Sequence, residues 1–365
     1  MIDPRDEQYA SLLVETCIDV QPGWQVIVSA GVRGGPLFGE VCKAIAARGA
    51  YVLPRVTFDA VGAPYPWVKS ASDELLSAPA PLEEHVMLNV DAAIVIIAPE
   101  NTRDAVDVEQ HRLRLLQAGS HKIQERFISG KVPWVGCQYP TPALAQEAGM
   151  TLDQFAEFLY GAVLLDWDAE RRRMEKVKEL FDAASEVRIV APETDLRIGL
   201  DGREGKIDAA GANIPGGEVF YSPVEDSAEG VIEFSEFPAV YAGRELTKIR
   251  LRFEGGKIVD ASAASNEDFL LETLDTDEGA RRLGELGIGC NPGITRYMKN
   301  TLFDEKINGT VHLAIGRGFP ELGGKNVSAI HWDIVKDVRQ GGRVELDGRV
   351  VQENGAWVHE GAVAS

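Results

Sequence analysis

The chain has 365 residues, 45% of them hydrophobic, and a net charge of −20 with a pI near 4.8. A chain of this length can bury more than one core, so two domains are expected. So acidic a surface repels phosphate backbones, which argues against nucleic acid as a partner, and no run approaches the ~20 apolar residues of a spanning helix, so no membrane partner is expected.

Taken in chain order, residues 5–18 carry Tyr9, Leu12, Leu13 and Cys17 at helical spacing, and Pro22-Gly23 stops the element. WQVIVSA reads as a buried strand, GVRGG as a turn, and Pro36 opens a helix that Gly49 closes. YVLPRVTF, AAIVIIA and VPWVGCQYP follow as strands, with a helix across 104–118 between the last two. Strands alternating with helices predict an α/β domain with a mostly parallel sheet. Gly31, Gly34 and Gly35 do not fit G-x-G-x-x-G, so no dinucleotide site is indicated. Asp153–Tyr160 and WDAERRRMEKVKELFDAASE are helical and read as the connection that closes a first domain at 1–186.

Beyond it, across 187–365, short strands and turns dominate: TDLRIGL, GVIEFS, LTKIRLRFEGGKIVDASA, TVHLAIG, AIHWDIV and RVELDGRVVQENGAWV. Glycine-bearing turns at 201–202, 255–256 and 347–348 fit hairpins, and one helix is expected over Glu267–Leu286. The second domain is therefore expected to be mostly antiparallel β, an α+β unit, and to carry the chemistry.

The chemistry concentrates in HLAIGRGFPELGGKNVSAIHWD, residues 312–333, which holds two of the six histidines. His331 and Asp333 sit two apart, so on a strand both point to one side. With His312 they make a set of borderline-metal ligands: neutral imidazoles and a compensating carboxylate. Glu218, after a Pro-Gly-Gly turn, and Glu285, expected at a helix C-terminus where an acid is electrostatically misplaced, can add to it. His85, His111, His121 and His359 stand in polar settings and read as surface.

At this point the chain resembles the M29 metallo-aminopeptidase family, the thermophilic aminopeptidase T type. The resemblance runs through GGEVFYSPVEDS, DTDEGARRLGELGIGCNPGITR, LFDEKINGTVHLAIGRGFPE and GGKNVSAIHWD. It implies two divalent metals (zinc, cobalt or manganese) with Glu218, Glu285, His312, His331 and Asp333 as ligands. It also places a Tyr seven residues after the first His, where this sequence has Phe319. A phenol can ligate or donate, and a phenyl ring can do neither. Tyr221 and Tyr297 read as packing residues, either of which can stand in for that phenol only if the fold brings it there. Glu321 is the candidate general base or ammonium-binding group. Arg317, with Lys325, is the candidate partner for developing negative charge or a substrate carboxylate.

The leading expectation is a cytoplasmic hydrolase, a homodimer as the resemblance implies, releasing N-terminal residues from short peptides or small amides. The four cysteines (Cys17, Cys42, Cys137, Cys290) are spread without a C-x-x-C pair, as in a reducing compartment, and MIDPRDEQYA lacks the apolar core of a leader. Two alternatives stand beside it. One is a mononuclear Fe(II) dioxygenase that opens dihydroxypyridine rings, using His312, His331 and Asp333 as a facial triad. The other is a non-catalytic homologue.

Overall fold

A computed structural model describes residues 3–58, 64–128 and 130–358; His359 lies outside the described residues. Contacts divide the chain into two compact units, Met1–Leu164 with Ala210–Ile214, and Leu165–Ala209 with Pro215–Ser365.

The first unit is built on β1 (Gln25–Gly31), β2 (Tyr51–Thr57), β3 (Ala92–Ile97) and β4 (Trp134–Gln138). They lie in the order β2-β1-β3-β4, with the short strand Asn213–Ile214 beside β4, and every pair is parallel. The helix expected after Pro36 runs Gly35–Ala47 and buries Leu37, Val41 and Ile45, at helical spacing along one face. The helix expected across 104–118 begins only at Gln110 and ends at Gly119.

The division falls at Leu164, not near Glu186. The Trp167–Asp182 helix buries Trp167, Met174, Val177 and Phe181 within the second unit. Phe181 stacks on Tyr221 at 5.9 Å and meets Trp357 edge-on at 6.4 Å. Its charged residues cover the outside, which made it read as a connector, but its apolar stripe belongs to the second core.

The second unit holds an eight-stranded antiparallel sheet running from Lys257–Ser262 at one edge to Ala356–Trp357 at the other. The turns at 255–256 and 347–348 close hairpins in it. The turn at 201–202 does not: it carries the chain from Thr194–Gly199 in this sheet into a different one. That other sheet holds the candidate site. Its strands are β5 (Lys206–Asp208), β6 (Glu218–Tyr221), β7 (Leu283–Gly289), β8 (Thr310–Gly316) and β9 (His331–Asp337), in the order β9-β8-β7-β6-β5, all antiparallel.

The helix expected over Glu267–Leu286 ends at Leu274. A single 3₁₀ turn follows at Glu278–Arg281, and Glu285 lies within β7, every residue of which is buried. A strand covered on both faces loses the alternation that identifies it, so LGELGIG does not announce itself. Glu285 is therefore not a misplaced helix-end acid; it is a charge inside a sheet.

Candidate metal centre

Pleating puts alternate residues of each strand on one face. On the site face, β6 offers Glu218, β7 Glu285, β8 His312, and β9 His331 and Asp333. Cross-strand register spaces them with small residues: Glu285 and Asp333 both pair with Ala314, His331 pairs with Gly316, and Glu218 pairs with Gly289.

Gly287 lies opposite His312, and the imidazole lies across it. A Cβ there would fall 1.9 Å from His312 Cε1 and 2.1 Å from Nε2. Gly287→Ala is expected to cost about 1–3 kcal/mol of stability, as overpacking does, and to weaken metal binding by displacing that ring. Thermal unfolding and a metal titration of the variant check both effects.

The five side chains meet as two groups that share one member: Glu218, Glu285 and His312, and Glu285, His331 and Asp333. Glu285 divides its oxygens between them. Oε1 lies 3.4 Å from His312 Nε2 and Oε2 lies 3.1 Å from His331 Nε2. Glu218 Oε2 lies 3.4 Å from His312 Nε2, and Asp333 Oδ1 lies 3.6 Å from His331 Nε2. Each imidazole is aimed by a backbone carbonyl: His312 Nδ1 donates to Glu305 O at 2.9 Å and His331 Nδ1 to Arg317 O at 2.8 Å. With Nδ1 committed to a carbonyl, Nε2 is the ring atom that faces the carboxylates and is left to ligate an ion once its proton is displaced.

Burial differs across the site. Side-chain exposure is 1% for His312 and 8% for Glu218, against 22% for His331 and 14% for Asp333. One half is sealed and the other faces outward.

The electrostatics are those of a crowded anionic site. Burial pushes Glu218 well above the carboxylate range, and burial with the charge of Glu285 raises Asp333. For Glu285 burial acts upward too, but the two imidazoles outweigh it and hold the group low. Burial opposes charge on the imidazoles, yet Glu285 and its neighbours lift His312 to about 10 and His331 to about 9. Glu218 Oε2 and Asp333 Oδ1, both buried, accept no hydrogen bond. Buried carboxylate oxygens without donors are costly, and a cation between the groups would satisfy both. The donor set of two imidazoles and three carboxylates suits borderline divalent ions, so the residues present fit a dinuclear metal centre.

Not every expected residue joins. Glu321, on the Pro320–Leu322 turn, is exposed and lies in neither group. Arg317 is also exposed, and what it gives the site is its carbonyl oxygen. Lys325 is exposed as well; its backbone N–H donates to Glu225 at 2.5 Å. Tyr221 points to the opposite face of β6, donating to Lys178 O and Asp182 Oδ1. Tyr297 stacks on Phe237 at 4.8 Å and donates to Pro238 O. Neither replaces a phenol at position 319. Phe319 itself does reach the site, its ring edge-to-face with His331 at 5.3 Å and with Phe220 at 5.4 Å.

Two residues were missed. Glu305 orients His312, and Lys306 is fully buried with Nζ 3.1 Å from Glu218 Oε1. They stand in FDEKING, a charged stretch without period, and nothing in such a pattern distinguishes a buried lysine from a solvated one.

Comparison with known proteins places the chain among aminopeptidases. The chain is 26% identical over 351 residues to "Aminopeptidase 2" of Geobacillus stearothermophilus, covering 86% of this chain and 84% of that one. Its fold is that of wild-type AmpT from Thermus thermophilus, with a TM-score of 0.84 at 24% identity, covering 97% of this chain and 99% of that chain. A 2,5-dihydroxypyridine dioxygenase from Pseudomonas putida shares the fold more distantly, with a TM-score of 0.60 at 14% identity over 98% of both chains. The family described as thermophilic metalloprotease (M29) matches residues 3–357, and the chain belongs to that family.

Proposed function

We infer that this metal-dependent aminopeptidase works with two divalent ions, one held by Glu218, Glu285 and His312 and the other by Glu285, His331 and Asp333. The observation that carries this reading is Glu285, which turns one oxygen to each imidazole and belongs to both ligand groups. Bound there, two divalent ions such as zinc, cobalt or manganese supply Lewis acidity, activating a water and polarising a scissile carbonyl.

The chain's own residues do the rest. The carbonyls of Glu305 and Arg317 fix both imidazoles before substrate arrives, so little reorganisation remains to be done. The greater exposure of His331 and Asp333 makes their half the side open to substrate. The rings of Phe220 and Phe319 wall that half, giving a substrate side chain an apolar surface. Glu321, two residues beyond Phe319, serves as general base or binds the substrate ammonium after the loop adjusts. Arg317 and Lys325 from the same loop meet negative charge. The substrate is a short peptide or small amide with a free N-terminus, and the enzyme works as a cytoplasmic homodimer. The net charge of −20 and the four free cysteines support that setting. Among the described residues no helix is long and apolar enough to cross a membrane.

The mononuclear iron reading is poorly supported. His312 falls in one ligand group and His331 with Asp333 in the other, so the three do not close on one ion as a facial triad requires.

The test is metal analysis of the purified chain together with turnover of an aminoacyl amide. Two divalent ions per chain and hydrolysis are expected; a single iron, or no turnover with two ions bound, overturns the reading. Loading should also release protons. Near neutral pH both imidazoles of the metal-free site are charged, since Glu285 lifts them to about 10 and about 9. Metal must displace those two protons and the one that burial keeps on Glu218, so about three per chain should appear in a weakly buffered titration. The sign follows: affinity falls as pH falls, because protons compete for the same Nε2 atoms.

A further inference from the structure

We propose that Lys306 is a positioning residue that restricts Glu218 to one-oxygen coordination and sets the charge the site offers to its ions. The proposal rests on the dinuclear reading above and assigns a part to a residue that does not ligate metal.

Lys306 is fully buried. Its Nζ lies 3.1 Å from Glu218 Oε1 and donates to Glu305 Oε1, and the charge of Asp208 also bears on it. Glu218 is thereby split. Oε1 is held by the ammonium, while Oε2 faces His312 Nε2 at 3.4 Å and accepts no hydrogen bond. Oε2 is the free oxygen, and Oε1 would bond an ion only in competition with the ammonium, which favours one-oxygen binding by Glu218.

The neighbouring residue completes the device. Glu305 O holds His312 Nδ1, so consecutive residues aim both ligands of the sealed half that belong to it alone. The segment is itself pinned, with Asn291 N–H donating to Lys306 O at 3.0 Å and Lys306 N–H to Phe303 O at 3.0 Å.

Charge makes the second part of the argument. Asp208, Glu218, Glu285, Glu305 and Asp333 are five carboxylates around the two ligand groups. When ions are bound and all five are ionised, the Lys306 ammonium leaves four negative charges, equal to the charge of two divalent ions. Without it the site would hold its ions more tightly and leave them weaker Lewis acids. A methionine of similar length would fill the same space with no charge to compensate.

The experiment compares wild type with Lys306→Met, Lys306→Gln and Lys306→Arg. Mn²⁺ affinity is measured by calorimetry, the Co²⁺ d–d spectrum is recorded, and kcat and KM are followed on an aminoacyl amide. In the Met variant the tighter Mn²⁺ site should gain about tenfold in affinity. The Co²⁺ bands should weaken as the coordination number rises, and kcat should fall with KM little changed. Arg should restore affinity and spectrum. Should the Met chain not fold, the Gln chain, polar but uncharged, gives the same readouts. Mn²⁺ affinity that is unchanged or weaker in both neutral variants, with an unaltered Co²⁺ spectrum, overturns the proposal. Wild type that binds fewer than two ions overturns the dinuclear reading instead, so the two failures are told apart.

Discussion

Replacing Glu285 with Gln is expected to leave the chain unable to retain either ion, and aminoacyl amide turnover should fall about a thousandfold, a loss of ~4 kcal/mol in transition-state stabilisation. The argument is geometric. Each ligand group has its own further members, but both depend on this one carboxylate, with one oxygen toward each imidazole at 3.4 and 3.1 Å. Gln keeps the shape and fills the same space in β7. It turns one of the two oxygens into an NH₂ donor, which repels a cation, and removes the shared negative charge. In the metal-free site the imidazoles lose the neighbour that raised their pKa values and shed their protons more readily. Metal content after dialysis and kcat/KM measure the effect. A variant that keeps two ions and stays within about tenfold of wild-type activity would show that Glu285 is not shared.

His331→Ala should separate the two halves. Glu218, Glu285 and His312 remain as a complete set, and that half is the sealed one, with His312 only 1% exposed. The variant is therefore expected to hold about one ion per chain and to lose about a hundredfold or more in turnover. Its metal-free stability should fall, because buried Glu285 loses one of the two imidazoles that compensate its charge, at 3.1 Å. Metal stoichiometry, thermal unfolding and turnover are read together; unchanged activity, or loss of both ions, contradicts the division of ligands.

The parallel sheet of the first unit was legible because its strands are short apolar runs separated by helices with clear ends, such as Pro36 and Gly49. In the second unit, residue type and the spacing of His331 and Asp333 pointed to the 312–333 stretch, while Glu218 and Glu285 were drawn in as proposed ligands through the family resemblance. What failed was the local structure around Glu285. Both faces of β7 are covered, so its seven residues show no period, and the preceding DEGARR invites a longer helix. Tertiary packing decides such a segment, and packing is not visible in one window of sequence. The same limit hid the allegiance of the Trp167–Asp182 helix, since its charged face is local information and the rings that receive Phe181 are not. Glu305 and Lys306 were hidden for a different reason. Their roles depend on a carbonyl direction and on burial, and neither leaves a trace in residue order.

The five proposed ligands come from four strands spread between positions 218 and 333. An ion gripping Glu218 and His312, or Glu285 and Asp333, therefore pins together stretches of backbone that lie far apart along the chain. It acts as a reversible counterpart of a disulfide, deleting from the unfolded ensemble every conformation in which those strands are apart. Because the grip is an equilibrium, the resistance of this sheet to unravelling rises and falls with the supply of free metal. The same atoms that prepare the catalyst thus make its durability a function of its surroundings.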